Sequence, residues 1–303
     1  MPVILRTIGL TKKYGEFFAL KDVSLTLAQG DVYGLVGRNG AGKTTLFKCL
    51  MGLSKPSSGK IEIGAENRGL GAARKKMGFI ISPSFFPYLN PRESLEYLRV
   101  VRGIKTPGET GRLLSLVGLD GVKKPFRSLS LGMKQRLGIA GALLGAPEIV
   151  VLDEPINGLD PQGIIDMRAV IRNVHAETGA TFIISSHILS ELDLVATRFG
   201  FIEQGSLIAE ITREKLREQT KKTLAIETGD ASIALEHLRS MGIEGNIDGG
   251  GTLVLDSGLE RPNEIARALI NGGFELYEMR RRETTLEEYF IKLTSGSGGG
   301  RDA

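Results

Sequence analysis

The sequence of 303 residues contains no tryptophan, one cysteine and three histidines, and aromatic residues make up only 6% of it. The single cysteine, Cys49, excludes an internal disulfide framework and a zinc site made of cysteines alone. Cys49 follows a glycine-rich loop on a predicted helix, where we expect a small buried side chain. The shortage of aromatic residues disfavours the stacking surfaces that many single-strand nucleic-acid binders use.

Strong charge and long apolar runs are also absent. The net charge is +4, from 39 basic and 35 acidic residues, which is too small an excess for a nucleic-acid backbone unless it is clustered. We therefore expect no nucleic-acid partner. A membrane-spanning helix needs about 20 apolar residues, and the best candidate, Ile139 to Leu152, is interrupted by Pro147. The N-terminal residues do not have the pattern of a signal peptide.

Strands and helices alternate along the first two thirds of the sequence. Ile149–Leu152 and Thr181–Ser185 are short runs rich in β-branched residues, typical of buried strands. A helix that begins with Pro161 is predicted between them. Helical spacing of apolar residues predominates over 92–145, which predicts a helical insertion at about 83–145. This alternation predicts an α/β fold with a mostly parallel sheet.

The pattern changes after residue 220, and we predict two domains, 1–220 and 221–294, followed by a flexible Gly/Ser-rich tail at 295–303. The order predicted for the second domain is β-α-β-β-α-β plus a final helix, which indicates a small α+β domain of the ferredoxin-like type. Its predicted strands are 223–228, 243–247, 252–256 and 274–281, and its predicted helices are 231–241, 260–271 and 284–293.

The sequence from Gly37 to Thr45 reads GRNGAGKTT and fits the phosphate-loop pattern G-x-x-x-x-G-K-[ST]. A predicted strand precedes it and a predicted helix follows it, as this motif requires. Its backbone N–H groups can surround phosphate oxygens, Lys43 can reach the β- and γ-phosphates, and the Thr44 hydroxyl can bind Mg²⁺. The predicted nucleotide-binding residues of the loop are Gly37, Asn39, Gly40, Ala41, Gly42, Lys43, Thr44 and Thr45.

Two acids, Asp153 and Glu154, directly follow the predicted strand Ile149–Leu152. Ligands of open α/β sheets bind at the carboxyl ends of the strands, which is where these acids would lie. Asp153 is suited to hold Mg²⁺ through water, because Mg²⁺ gives up its water ligands reluctantly. Glu154 could orient or deprotonate an attacking water molecule. With the phosphate loop, this pair predicts a site that binds nucleotide phosphates and Mg²⁺ and activates a water molecule for attack on them.

The segment Leu129–Arg136 reads LSLGMKQR, and with the loop and the two acids it resembles the nucleotide-binding subunit of ATP-binding cassette (ABC) transporters. The family's signature motif usually reads LSGGQ. The resemblance implies that Ser130 and Gly132 bind the ATP held by a second subunit. Considered alone, Ser130 could simply be the N-cap of the predicted helix that follows it.

Other segments match family elements in the expected order. The resemblance implies that Tyr14 stacks on adenine and that Asn157–Asp160 contacts the facing subunit. It implies that His187 senses the γ-phosphate and acts in catalysis with Glu154 and Lys43. It also implies a homodimer or heterodimer, which binds ATP and acts on a separate integral-membrane permease at the cytoplasmic face of the membrane.

Two positions depart from the family pattern. Where the family usually has Gln or Glu after the strand at Met77–Gly78, this sequence has Ile81 or Ser82, depending on the residue from which the position is counted. Neither is an ordinary metal ligand like Gln or Glu, so the family's coupling through this segment does not carry over to this sequence from the motif, whereas ATP binding is still expected. Leu131 replaces the first of the two glycines in the signature motif.

The signature variant and Phe85–Leu89 resemble ATPases of bacterial ABC-2 exporters, in particular those linked to bacitracin, lantibiotic or other antibiotic export. Thr284–Phe290 is similar to the end of that branch's accessory domain. The expected cargo is a peptide antibiotic, a drug or a lipid-like compound. Three alternatives remain open: an importer ATPase with a regulatory C-terminal domain, an ABC ATPase acting on ribosomes or DNA, and a nucleotide sensor without hydrolysis. Phe85, Phe86 and Tyr88 are candidates either for permease docking or for local packing.

Overall fold

The computed structural model describes residues 2–64, 70–106, 108–219 and 222–283. These residues form two compact units, one that ends at Arg213 and one that begins at Glu214. The division predicted between residues 220 and 221 lies outside the described residues. The predicted helix 284–293 and the predicted tail 295–303 lie outside them as well.

The first unit contains a parallel sheet and a smaller antiparallel sheet. Its strands are β1 (Val3–Tyr14), β2 (Phe17–Ala28), β3 (Val32–Val36), β4 (Ser58–Ile63), β5 (Met77–Ile80), β6 (Ile149–Leu152), β7 (Thr181–Ser186), β8 (Arg198–Glu203) and β9 (Ser206–Thr212). The larger sheet has the order β5-β6-β7-β3-β8-β9 and is parallel except for β9. The smaller sheet has the order β2-β1-β4. The predicted α/β fold with a mostly parallel sheet is confirmed.

The strand order brings the carboxyl ends of β3, β7 and β6 next to one another. Every residue of these three strands is buried, as expected where both faces of a parallel sheet are covered. Residues that follow these strands therefore meet at one edge of the sheet.

The first unit also contains helices, and three of them lie within the range 83–145 for which the sequence predicts a helical insertion. The helices are α1 (Lys43–Met51), α2 (Leu70–Arg74), α3 (Pro91–Val101), α4 (Glu109–Leu116), α5 (Leu131–Leu143), α6 (Pro161–Thr178) and α7 (Leu189–Asp193). A capping box formed by Asn90 and Glu93 begins α3. The αL conformation of Gly179 ends α6, which begins at Pro161 as predicted. None of the helices in the described ranges is long and apolar enough to cross a bilayer.

The helix that follows the glycine-rich loop is fixed by the core. Side chains of α1, such as Phe47, pack in one cluster with side chains from both sheets of the first unit. Leu5 belongs to the smaller sheet and Leu35 to the larger one. Cys49 is fully buried in this cluster, which confirms its predicted packing role, and burial raises the pKa of its thiol. The start of α1 therefore has a fixed position beside the edge of the parallel sheet.

The second unit has a separate core. Its elements after α8 (Arg213–Gln219) are β10 (Lys222–Thr228), α9 (Ala231–Ser240), β11 (Gly245–Ile247), β12 (Leu253–Leu255), α10 (Pro262–Asn271) and β13 (Leu276–Glu283). The four strands form an antiparallel sheet in the order β11-β12-β10-β13. Leu224, Ile226, Leu238 and Leu253 are fully or almost fully buried in its core.

Strands β11 and β12 are shorter than the predicted strands 243–247 and 252–256. The Asp248 side chain accepts hydrogen bonds from the backbone N–H groups of Gly250 and Thr252, at 3.0 Å each. These bonds hold the intervening residues in a turn, as Asp side chains commonly do. Thr252, the first residue of the predicted strand 252–256, therefore precedes β12.

Candidate active site

The glycine-rich loop connects β3 to α1, at the edge of the parallel sheet. Gly40 and Gly42 have φ values of 82° and 110°, in the left-handed region that favours glycine. A Cβ atom at Gly42 would lie 2.6 Å from the Ala19 carbonyl oxygen, and one at Gly37 would lie 2.3 Å from the Ile202 carbonyl oxygen. Backbone conformation and close packing therefore both require glycines here, as the motif predicts. The N-cap residue of α1 is Gly42, which has no side chain that could cap the helix, so the positive end of α1 can receive an anion.

Lys43 extends from the start of α1 into the loop and is only 5% exposed. Its Nζ donates hydrogen bonds to the carbonyl oxygens of Gly37 at 2.6 Å and Arg38 at 3.2 Å. The same Nζ lies 3.0 Å from Glu154 Oε1. A buried ammonium group needs anionic or strongly polar partners. Phosphate oxygens would be such partners.

The carboxylate of Asp153 lies between two hydroxyl groups. Thr44 Oγ1 donates to Asp153 Oδ2 at 2.7 Å, and Ser185 Oγ donates to Asp153 Oδ1 at 2.6 Å. The structure thus joins Thr44 and Asp153, the two predicted metal-binding residues. A hydroxyl and a carboxylate are oxygen donors of the kind that Mg²⁺ prefers, so this pair fits the ion that the sequence predicts.

Glu154 directly follows Asp153 and has a φ of 49°, in the left-handed region. This conformation costs a residue other than glycine about 1–3 kcal/mol and persists only where its surroundings hold it. The Glu154 N–H donates to Ser185 Oγ at 2.8 Å, and Glu154 Oε2 lies 2.9 Å from His187 Nδ1. The Glu154 carboxylate is therefore shared between Lys43 and His187, so the three predicted catalytic residues form one connected group.

A cavity of about 380 Å³ lies against the glycine-rich loop. Tyr14, Phe17 and Glu154 line it. The loop residues that line it are Arg38, Asn39, Gly40, Ala41, Gly42, Lys43, Thr44 and Thr45. The structure therefore places the predicted base-stacking residue, Tyr14, on the same cavity as the phosphate loop.

The sequence analysis missed several residues of the site, among them Phe17 and Arg38 on the cavity and Ser185 beside the two acids. Phe17 is opposite Tyr14 in the pairing of β1 and β2, and the two residues between them, Gly15 and Glu16, were the available hairpin signal. Ser185 contacts the two acids only because β7 lies beside β6. No local sequence pattern indicates that β7 lies beside β6.

The signature residues lie elsewhere in the first unit. Ser130 is the N-cap of α5, and its Oγ accepts a hydrogen bond from Met133 N at 3.3 Å. Ser130 and Gly132 are not among the described residues that line the cavity. The binding of a second subunit's ATP by Ser130 and Gly132 stays a prediction. Asp160, in the segment predicted to face that subunit, is the N-cap of α6.

The segment after β5 contains the two residues that stand where the family has Gln or Glu. Ile81 packs against the hydrophobic core of the first unit, whereas Ser82 is exposed. Neither residue is among the described residues that line the cavity. Ile81 therefore has a packing role, and neither position supplies a carboxamide or a carboxylate.

The fold of the first unit and the side chains that meet at the edge of its parallel sheet define a class of protein. A parallel sheet presents a glycine-rich phosphate loop, a hydroxyl and carboxylate pair, and a carboxylate paired with a lysine and a histidine. This arrangement is a P-loop nucleotide-binding site in an α/β fold.

Comparison with known proteins identifies the family within this class. Residues 20–157 match the family model of the ABC transporter. The bacitracin transport ATP-binding protein BcrA of Bacillus licheniformis is 38% identical over 304 residues, which cover 98% of this chain and 99% of that relative. The lantibiotic transport ATP-binding protein SrtF of Streptococcus pyogenes is 39% identical over 208 residues, which cover 68% of this chain and 90% of that relative.

Solved structures agree with this assignment. The structure of cbiO1 from Clostridium perfringens, part of the ABC transporter complex cbiONQ, has a TM-score of 0.64 and 28% identity, and the match covers 71% of this chain and 91% of that chain. The dimeric ATP-binding cassette MJ0796, bound to ADP and Pi, has the same fold, with a TM-score of 0.60 and 24% identity over 69% of this chain and 99% of that one. The chain belongs to the ABC transporter family as an ATP-binding protein, and it is an ATPase. The resemblance described from the sequence motifs is confirmed.

Proposed function

We propose that this chain is the ATP-hydrolysing subunit of a bacterial ABC-2 exporter, in which it dimerises on ATP and drives a separate membrane permease. The proposed cargo is a peptide antibiotic, a drug or a lipid-like compound. One observation carries the proposal: the similarity to the bacitracin transport protein extends over 98% of this chain and therefore includes the second unit as well as the ATPase core.

The contacts of the site support a separate role for each of its residues in hydrolysis. In this proposal Thr44 and Asp153 would hold Mg²⁺, Asp153 through water, and when bound the ion would supply positive charge that offsets the negative charge of the phosphates. Lys43, buried beside the loop, binds the same phosphates. Glu154 orients and deprotonates the attacking water. His187, 2.9 Å from Glu154, holds that carboxylate in place and contacts the γ-phosphate.

A dimer would complete the site. Ser130 and Gly132 at the start of α5 would bind the ATP of the facing subunit, with Asn157–Asp160 beside the contact. The N-terminus of α5 suits this role because a helix N-terminus attracts phosphate. Leu131, between the two signature residues, is 46% exposed, which supports an open surface at this position.

The proposed permease contact is a group of aromatic side chains on the helical insertion. Phe85 packs against Phe126, with ring centroids 5.4 Å apart, so it belongs to local packing. Phe86, Tyr88 and Tyr97 are exposed, and their rings form one cluster with centroid distances of 5.6 Å and 5.0 Å. Exposed apolar clusters of this kind are typical of protein interaction sites. We assign these three residues to the docking of the permease.

We also assign the second unit to the ferredoxin-like class. Its order of elements is β-α-β-β-α-β, and its two edge strands are β11 and β13. Numbered within the unit, the four strands lie in the order 2-3-1-4 with all neighbours antiparallel. This is the arrangement expected of a split β-α-β fold.

Co-purification from native membranes tests the transport function. We expect the Glu154→Gln variant, loaded with ATP and extracted with detergent, to be held in the ATP-bound dimer together with its partners. Mass spectrometry should then identify a multi-span membrane protein in roughly equal amount. The Lys43→Ala variant is the matched control, because it lacks the phosphate-binding ammonium and should not form the trapped dimer.

The identity of the recovered partner decides among the functions. A multi-span permease that depends on ATP and on Lys43 would support the exporter, and its own family would narrow the cargo. Recovery with ribosomes or DNA would contradict the transport function and leave the ATPase assignment unchanged.

A further inference from the structure

Ser185 lies between the two acids of the site and makes a hydrogen bond to each. It is in β7, the neighbour of β6 in the sheet, and it is completely buried. Its Oγ donates to Asp153 Oδ1 at 2.6 Å and accepts from Glu154 N at 2.8 Å. The one hydroxyl group thus acts as donor to one acid and as acceptor for the other.

The bond to Asp153 fixes the rotation of its carboxylate. With Oδ1 held by Ser185, Oδ2 faces Thr44 Oγ1 at 2.7 Å. Asp153 is itself only 7% exposed, so little water is available to replace the serine. Hydrogen bonds to the free oxygen of a metal-binding carboxylate orient it and tune its affinity for the ion.

The bond to Glu154 holds a backbone conformation that needs support. Glu154 has a φ of 49°, which side-chain-bearing residues adopt only where surrounding contacts fix it. Ser185 binds its N–H, while Lys43 and His187 bind its carboxylate. Loss of the serine hydroxyl would leave a partly buried N–H without its acceptor and would loosen the direction of the Glu154 side chain.

We propose that Ser185 is a positioning residue that sets the orientation of the Asp153 carboxylate and the Glu154 backbone, and thereby the dependence of ATP binding and turnover on Mg²⁺. The inference rests on the roles proposed above for Asp153 and Glu154. It adds a residue that contacts neither ATP nor Mg²⁺ in that scheme and acts through the two acids.

The adjacent Ser186 provides a matched control. It is almost as buried as Ser185, and its hydroxyl also makes two hydrogen bonds, to Glu191 Oε2 at 2.7 Å and from Ile188 N at 3.0 Å. Ser186→Ala therefore removes an equally buried hydroxyl with its two bonds and leaves those of Asp153 and Glu154 in place.

The experiment uses the full chain and three variants of Ser185. Calorimetric titration measures the dissociation constant of ATP with Mg²⁺ and with EDTA. The constant with EDTA divided by the constant with Mg²⁺ gives the gain in affinity that the ion provides. We expect Ser185→Ala to lower this ratio and kcat by about 10–100-fold, as loss of an outer-shell partner does, with a smaller change in the EDTA affinity. Ser185→Thr, which keeps the hydroxyl, should retain the ratio, and so should Ser186→Ala.

A purely structural role would give a different pattern. Equal ratios in the wild type and in Ser185→Ala would overturn the proposal, as would an equal loss in Ser186→Ala. Ser185→Cys, which keeps the shape of the side chain but has only a weak S–H donor, gives the same test if the alanine variant unfolds at the assay temperature. A wild-type chain with no Mg²⁺ benefit would instead refute the proposed role of Asp153, and the Ser185 inference with it.

Discussion

The carboxylate of Glu154 contacts two ionisable side chains. Its Oε1 lies 3.0 Å from Lys43 Nζ, and its Oε2 lies 2.9 Å from His187 Nδ1. The lysine is the group proposed above to bind the β- and γ-phosphates. A phosphate bound there would compete with Glu154 for the ammonium group. We therefore expect nucleotide binding to free one oxygen of Glu154, the residue proposed above to activate water.

Replacing Glu154 by glutamine tests this role at a single atom. The amide keeps the shape of the side chain but cannot accept a proton, so we expect ATP to bind and turnover to fall by about 10²-fold or more. Steady-state phosphate release and an ATP titration measure the two quantities. Lys43→Ala should behave in the opposite way, with loss of ATP affinity itself. Unchanged hydrolysis by Glu154→Gln would exclude this residue as the base.

At the scale of elements, the contact between α5 and β5 fixes the helix that begins at the signature segment. Glycines on both elements permit the close approach. A Cβ atom at Gly78 in β5 would lie 1.9 Å from the carbonyl oxygen of Ala142 in α5, and one at Gly138 in α5 would lie 3.0 Å from Ile80 Cδ1. The position of α5, and with it that of Ser130, thus depends on the absence of a side chain at Gly78.

Gly78→Ala should disturb this contact. Because the added methyl group meets backbone that cannot rotate away, we expect the free energy of unfolding to fall by about 1–3 kcal/mol or more, as for other overpacked sites. Urea unfolding followed by circular dichroism measures the change. Gly71→Ala, in α2, is the control, because nothing lies within 4 Å of its added Cβ and alanine favours helix. Equal stability of the two variants would contradict the close packing of α5 on β5.

At the scale of the whole molecule, the two units have cores made of different residues. The first core contains side chains of α1 and of both sheets of the first unit. The second core contains side chains of α9, α10 and the four-stranded sheet. A chain with two such cores is not expected to unfold in a single two-state step. Each core can therefore be weakened by itself.

Leu238→Ala, in α9, is expected to weaken only the second unit. Leu238 is fully buried, and a leucine-to-alanine change in a core costs about 2–5 kcal/mol. We expect one transition in a calorimetric scan to shift to lower temperature, while the affinity for ATP stays unchanged. Ile233→Ala, on the same helix but 57% exposed, should shift neither transition measurably. A loss of ATP affinity in Leu238→Ala would show that the second unit controls the nucleotide site.

Local patterns in the sequence determined much of the active site. The glycines, Lys43 and Thr44 form one continuous motif, and Asp153 and Glu154 follow a strand that is recognisable by its β-branched residues. Their chemistry depends on residue type and short spacing, both of which are local. The alternation of strands and helices likewise determined the α/β class, because burial of a parallel sheet on both faces demands apolar runs.

Only the tertiary structure decided which of these groups touch. Ser185 is 32 residues from Asp153 in sequence, yet it bonds both acids because β7 lies beside β6. The pairing of Lys43 with Glu154 also depends on packing between distant elements, and so does the difference between Phe85, which packs against Phe126, and the exposed ring of Phe86. Strand order and helix docking arise from contacts across the whole core, and no local periodicity carries that information.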